Sequence, residues 1–215
     1  MHKKRIAILI LIVLLMPGCM KITNNLDDIV NTIMTEDSNY VNTVSTGYEL
    51  YIPNGVKQVV DNEYNQKFKI KDRYIYLYVD IISYFYKNML NYKSQDNYDY
   101  YYRQLLLNNK TGYIGINKTT ENLYYVEIVY NYSKIEFYAD FDELPFILAH
   151  ALIIQRSIKY NDNLIDLKLS SDTNENREIK YELDGPKDNK STFSDYLQEY
   201  VSDEKIEVEL PEDNS

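Results

Sequence analysis

Nucleophilic catalysis needs a nucleophile, a base and a group to orient them, and this 215-residue chain offers few side chains for the task. Its only cysteine is Cys19, and its two histidines are His2 and His150. His150 stands inside an apolar stretch and reads as a packing residue. With no second thiol and no other histidine downstream of Cys19, a zinc set would have to be built largely from carboxylates, which is a poor match to that metal. The acids Asp140, Asp142 and Glu143 could be imagined as a glycosidase pair or a calcium site. Their place at the start of an apolar helical stretch explains them equally as capping and dipole compensation. Asp80 is an acid in a strongly hydrophobic stretch, able to pair with a base on a neighbouring strand or to join a pocket. The chain carries no Gly-x-Ser-x-Gly elbow, phosphate loop, dinucleotide fingerprint or EF-hand loop. No catalytic constellation, metal site or cofactor is expected.

The thiol has a clearer context. Lys3, Lys4 and Arg5 form a basic head, Ile6 to Met16 an unbroken apolar run, and Met16-Pro17-Gly18-Cys19 follows directly. As a helix the run would cover about 16 Å, roughly half of a bilayer's hydrocarbon core. That is the length of a signal-peptide core rather than of a membrane span. The arrangement resembles the lipobox of bacterial lipoproteins, although Met16 and Pro17 depart from its commonest residues. The resemblance implies cleavage before Cys19, acylation of Cys19 (palmitate or a similar chain), and residence on the extracytoplasmic side of the cell membrane. A chain with one cysteine forms no internal disulfide, so packing must supply its stability.

The net charge of −10 excludes a nucleic-acid partner, which demands a positive footprint. Residues 170 to 215 hold 14 acids and 5 bases, so the acidity is mostly a property of the tail. Such a chain is repelled by anionic headgroups, and attachment to the membrane rests on the lipid. Tyrosine is the other outlier, with 24 Tyr against 6 Phe and no Trp. Tyrosine supplies large contact area and a hydroxyl at little entropy cost, which suits binding surfaces. An AT-rich coding bias, which raises Asn, Ile, Lys and Tyr together, gives the same enrichment without any binding role.

The elements that would position these groups follow from periodicity. Leu26, Ile29, Val30, Ile33 and Met34 recur at helical spacing, with Asp27 and Asp28 in the first turn. A connection runs from Asp37 to Thr46, and the sequence from Gly47 to Gly55 reads as a strand closed by a Pro-Asn-Gly turn. From Arg73 to Tyr86, Ile75, Leu77, Val79, Ile81 and Phe85 alternate with Tyr74, Tyr76, Tyr78, Tyr84 and Tyr86, joined by Asp80. One strand with an aliphatic face and a tyrosine face is expected. Tyr98 to Leu107 and Tyr113 to Ile116 flank an Asn-Asn-Lys-Thr-Gly turn, two strands being the better fit and a helix over 98 to 107 the alternative. Leu123 to Tyr130 and Lys134 to Ala139 read as a hairpin. Asp140 or Asp142 then caps a broad apolar helix with Pro145 in its first turn, and Ser157 to Tyr160 gives a short edge strand. The chain after Leu169 is polar, acidic and expected to be largely disordered, with a short helix possible near Phe193 to Val201.

The fold class expected is α+β: an antiparallel sheet with a packed late helix and a short N-terminal helix. The organisation is a signal peptide (1–18), a lipidated cysteine with its helix and connection (19–46), an α+β domain (47–169) and an acidic tail (170–215). The Gly-Tyr-x-Leu-x-Ile-Pro opening strand, central meander, hairpin, late helix and last strand resemble the PsbP-like α/β/α sandwich over roughly residues 46 to 168. That resemblance implies a docking or assembly module and brings no functional residues with it. The whole pattern also resembles uncharacterised lipoproteins of low-GC Gram-positive bacteria. The functional expectation is a non-enzymatic lipoprotein that docks to another envelope protein through Tyr74, Tyr76, Tyr78, Asp80, Tyr84, Tyr100 and Tyr102. The alternatives are small-ligand or glycan binding at that face, and a carboxylate-based hydrolase using Asp80 or Asp140.

Overall fold

Alternation of apolar and polar residues builds most of this molecule. In the computed structural model, which describes residues 25–36, 40–88 and 97–170, seven strands form one antiparallel sheet. They are β3 (Val56–Asn62), β4 (Asn65–Ile70), β5 (Arg73–Val79), β6 (Tyr101–Leu107), β7 (Lys110–Lys118), β8 (Leu123–Tyr130) and β9 (Ser133–Asp140). Their order is β3-β4-β5-β9-β8-β7-β6. A separate small sheet holds β1 (Thr43–Ser45), β2 (Tyr48–Leu50) and β10 (Lys159–Tyr160) in the order β1-β2-β10. The fold is α+β, as the periodicity predicts.

The register sorts side chains onto two faces. Phe68 lies opposite Ile75, Ile75 opposite Phe137, Phe137 opposite Val126, and Val126 opposite Ile116. This aliphatic face is covered by helix α3 (Leu144–Arg156), whose Leu144, Ile147, Leu148, Ala151, Leu152 and Ile154 are buried. Helix α1 (Leu26–Thr35) lies against α3 and buries Ile29, Val30, Ile33 and Met34. Burying each such side chain contributes about 1.5–3 kcal/mol relative to exposure. The Asn25 side chain caps α1 by accepting from the Asp27 amide at 2.9 Å. Two further short helices are α2 (Ile81–Phe85) and α4 (Asp162–Leu169). Among the described residues, no helix is long and apolar enough to cross a membrane.

Two of the hairpins turn on a pair of residues that both have φ in the left-handed region. Asn108 and Asn109 join β6 to β7, and Asn131 and Tyr132 join β8 to β9. Positive φ at both central positions is the twist-matched hairpin geometry, which Asn adopts cheaply and Tyr does not. Tyr132 is held there by its neighbours. Tyr160 donates its hydroxyl to the carbonyls of Asn131 and Tyr132, and the Asp80 amide donates to the Tyr132 carbonyl.

Several expectations need correction. The strand from Arg73 ends at Val79, and Asp80 is the N-cap of α2. A buried carboxylate that accepts from Ser83 N at 2.8 Å and from Ser83 Oγ at 2.6 Å nucleates a helical turn at that point. The cap of α3 is Glu143 without a side-chain bond, neither Asp140 nor Asp142 filling that place. Asp140 is drawn instead to Arg73 at the start of β5, which also reaches Glu143 at 3.5 Å. The opening strand and the last strand pair with each other in the small sheet, away from the main one. The β3–β4 hairpin and α4 have no counterpart in the periodicity reading. Cys19 with the expected signal sequence, and the tail beyond residue 170, lie outside the described residues.

Candidate functional site on the tyrosine face

The second face of the large sheet gathers aromatic and charged side chains from five strands. Tyr76 lies opposite Glu136, Glu136 opposite Glu127, Glu127 opposite Gly115, and Gly115 opposite Tyr102. The adjoining row runs from Tyr78 through Lys134, Val129 and Tyr113 to Gln104. Local alternation alone places these groups here, because a residue between two core-facing neighbours in a strand must face the other way.

At the centre is a buried charged cluster. Glu127, 2 % exposed, accepts hydrogen bonds at Oε1 from Tyr98 at 2.7 Å and from Tyr113 at 2.5 Å. Glu136 accepts from the Tyr125 hydroxyl and pairs with Lys134 Nζ at 3.0 Å. Loss of water raises the Glu127 carboxyl above its ordinary value, nearby Glu136 adds to this, and Lys134 and the two phenols oppose it. Burial also lifts the Tyr125 phenol, helped by the charge of Glu136 and Glu127, so it stays a donor. Tyr98 fits because the facing residue is Gly115. A Cβ there would lie 2.0 Å from the Tyr98 ring.

The expected site residues disperse over this frame. Tyr74, Tyr76 and Tyr78 do lie on the tyrosine face, but Tyr76 and Tyr78 are buried and only Tyr74 keeps partial exposure. The Lys67 ammonium sits 3.9 Å above the Tyr74 ring. Tyr102 is exposed on the edge strand β6 and stacks with Tyr98 at 5.8 Å between ring centroids. Tyr100 packs instead against Tyr124, a residue of the aliphatic core. Asp80 and Tyr84 leave the face altogether. Tyr84 stacks on Tyr160 at 3.7 Å and donates to Asp162. Burial raises the Asp80 carboxyl, its bonds from Ser83 opposing the shift. His150 bonds the Phe146 carbonyl through Nδ1 at 2.8 Å, so that nitrogen carries the proton and the ring is held along its own helix.

Glu127, Glu136 and Lys134 are the residues that periodicity missed. The available signal was Glu127 itself, the sole charged residue in Leu123–Tyr130. Chemically, the cluster is a water-excluded acceptor set already satisfied by phenols and an ammonium, which rigidifies a polar layer. No group of His, Cys, Asp and Glu able to hold a metal ion occurs among the described residues.

The face ends at β6, whose outer edge pairs with no described strand. Tyr102 and Leu106, 47 % and 76 % exposed, project from it. On the opposite side of the same strand, Tyr101 donates to Asp27 Oδ1 at 2.7 Å. Arg103 reaches Asp27 Oδ1 at 3.0 Å and Asn31 Oδ1 at 2.5 Å. These bonds clip α1 to the edge strand. No family model matches this chain, and no curated protein matches it in sequence.

Proposed function

We propose that this protein is a lipoprotein of the cell envelope, acylated on Cys19, that docks to another envelope protein through the outer edge of β6. The observation that carries the reading is that edge, which pairs with no described strand and is flanked by exposed Tyr102 and Leu106. A strand edge of this kind is a template for an added strand, with alternate side chains giving specificity. Monomeric proteins usually blunt such an edge with charge or proline, and here its outward residues on the tyrosine face are Tyr102, Gln104 and Leu106.

The clip to α1 supports the same reading. Six residue steps separate Cys19 from Asn25, spanning at most about 21 Å when extended. Asp27, bonded to β6, follows two residues later. An acylated Cys19 would therefore keep the docking edge near the bilayer, within reach of a membrane-resident partner. The finer architecture that accords with this role is the PsbP-like sandwich, whose resemblance rests on element order. The burial of Tyr76 and Tyr78 favours docking at the edge over sugar stacking across the face.

Affinity capture from detergent-solubilised membranes tests the proposal, with Leu106→Asp as the comparison. The partner should be lost from the variant while its circular dichroism stays that of the wild type. An unchanged partner set would remove β6 from the account.

A further inference from the structure

A small cavity on the helix-bearing side of the sheet collects positive charge in an acidic chain. Its volume is about 160 Å³, and it lies between the end of α1, the β6–β7 turn and the end of α3. Lys110, Arg156 and Lys159 line it, with Tyr130 and Ser157 as hydroxyl neighbours and Glu36 as the one acid. The lining thus has a formal charge of +2, set against −10 for the chain.

Two of these cations, Arg156 and Lys110, are poorly compensated by the described residues. Arg156 is 13 % exposed at its side chain, and its ion pair with Glu36 is long at 4.0 Å, Glu36 being 65 % exposed. The Arg156 Nε is buried and has no hydrogen-bond partner among the described residues. The Lys110 ammonium makes no hydrogen bond or ion pair with a described residue, and burial alone lowers its affinity for a proton. A cation stripped of water without a counter-charge is costly. Arg156 alone could be read as a basic residue balancing the C-terminal dipole of α3. That reading accounts for neither Lys110, which comes from the facing hairpin, nor the convergence of three cations on one void.

We propose that this cavity binds a small oxyanion, and that a phosphate group fits it best. A phosphate monoester carries about −1.5 to −2 at neutral pH, opposite in sign to the lining, and offers three acceptor oxygens. Guanidinium and ammonium groups are the usual donors to such oxygens. A cavity of this size admits the phosphate with only a few further atoms, comparable to one of about 150 Å³ that holds benzene. The ligand is therefore free phosphate, a small phosphorylated molecule, or the headgroup of a phospholipid.

Isothermal titration of the full-length chain in neutral detergent tests this, with inorganic phosphate and dihexanoyl phosphatidic acid as separate probes. The wild type should bind at least one probe saturably. Lys110→Gln, at a half-buried site on a hairpin, should weaken that binding about tenfold, the effect of about 1.4 kcal/mol. Arg156→Gln should do the same or more, provided circular dichroism shows it folded. Binding of phosphate identifies a free ligand, and binding of the lipid probe alone identifies a headgroup site. Saturable binding of neither probe, or binding unchanged in Lys110→Gln, overturns the proposal.

Discussion

The Tyr98 hydroxyl reaches Glu127 Oε1 at 2.7 Å by laying its ring across Gly115, where a Cβ would lie 2.0 Å from ring carbon. The polar layer of the sheet depends on that missing side chain. In an ordinary strand Gly→Ala gains stability, because the glycine costs more backbone entropy on folding. Here the ring would have to swing away and leave Glu127 short of a donor. Gly115→Ala should cost about 2 kcal/mol in urea unfolding. In a Tyr98→Ala background the same change should be neutral or stabilising. Equal costs in both backgrounds would show that Tyr98 is not what the glycine accommodates.

Glu127 also makes stability depend on pH with a definite sign. Its carboxyl is raised in the folded state above the ordinary 4.5, chiefly by burial. The folded chain then holds a proton that the unfolded chain has released. This contribution is full below about pH 4.5 and is lost as pH rises through the folded value. Glu127→Gln lacks that loss. The stability of the variant minus that of the wild type should therefore grow from pH 4 upward and then level off. A difference that is flat or falls with pH would contradict the assignment.

Asp80 is a cap in the core. Asp80→Ala strands the Ser83 amide and hydroxyl, both in a buried residue, and should cost about 2 kcal/mol or more. Asp80→Asn keeps an acceptor for the amide and carries no charge to desolvate. It should retain at least about 1 kcal/mol of what alanine loses. If the two variants unfold at the same denaturant concentration, the capping account fails.

The clip between α1 and β6 is polar and partly exposed, so its worth is local. Asp27→Ala removes the acceptor for Tyr101 and one of those for Arg103, and should lower global stability by about 1 kcal/mol or less. Amide exchange of α1 should quicken much more than that of β8 and β9. Uniform acceleration across the sheet would mean that α1 does not open separately.

The aliphatic and tyrosine faces of β5 were legible because seven residues alternate without a break. The same alternation misled one step later. Ile81 and Phe85 continue its phase, and a five-residue helix is too short to show its own period. The β3–β4 hairpin was hidden because β3 lies at the edge, where residues such as Lys57, Val59 and Val60 face solvent and patterning is weak. Asp140 was misassigned as a cap because its partner, Arg73, is 67 residues away, beyond any local window. Glu127 and Glu136 share a site only through the register of two strands. A period-2 reading classes each merely as a polar position.

The central claim is that the β6 edge meets a partner at the membrane. Photocrosslinking in intact cells reads this directly, with the reactive group at Leu106 on β6 and, as control, at Val59 on the opposite edge strand. The account predicts one discrete adduct from position 106, none from position 59, and loss of the adduct in Cys19→Ser. No adduct from position 106, or equal capture from both edges, would contradict it.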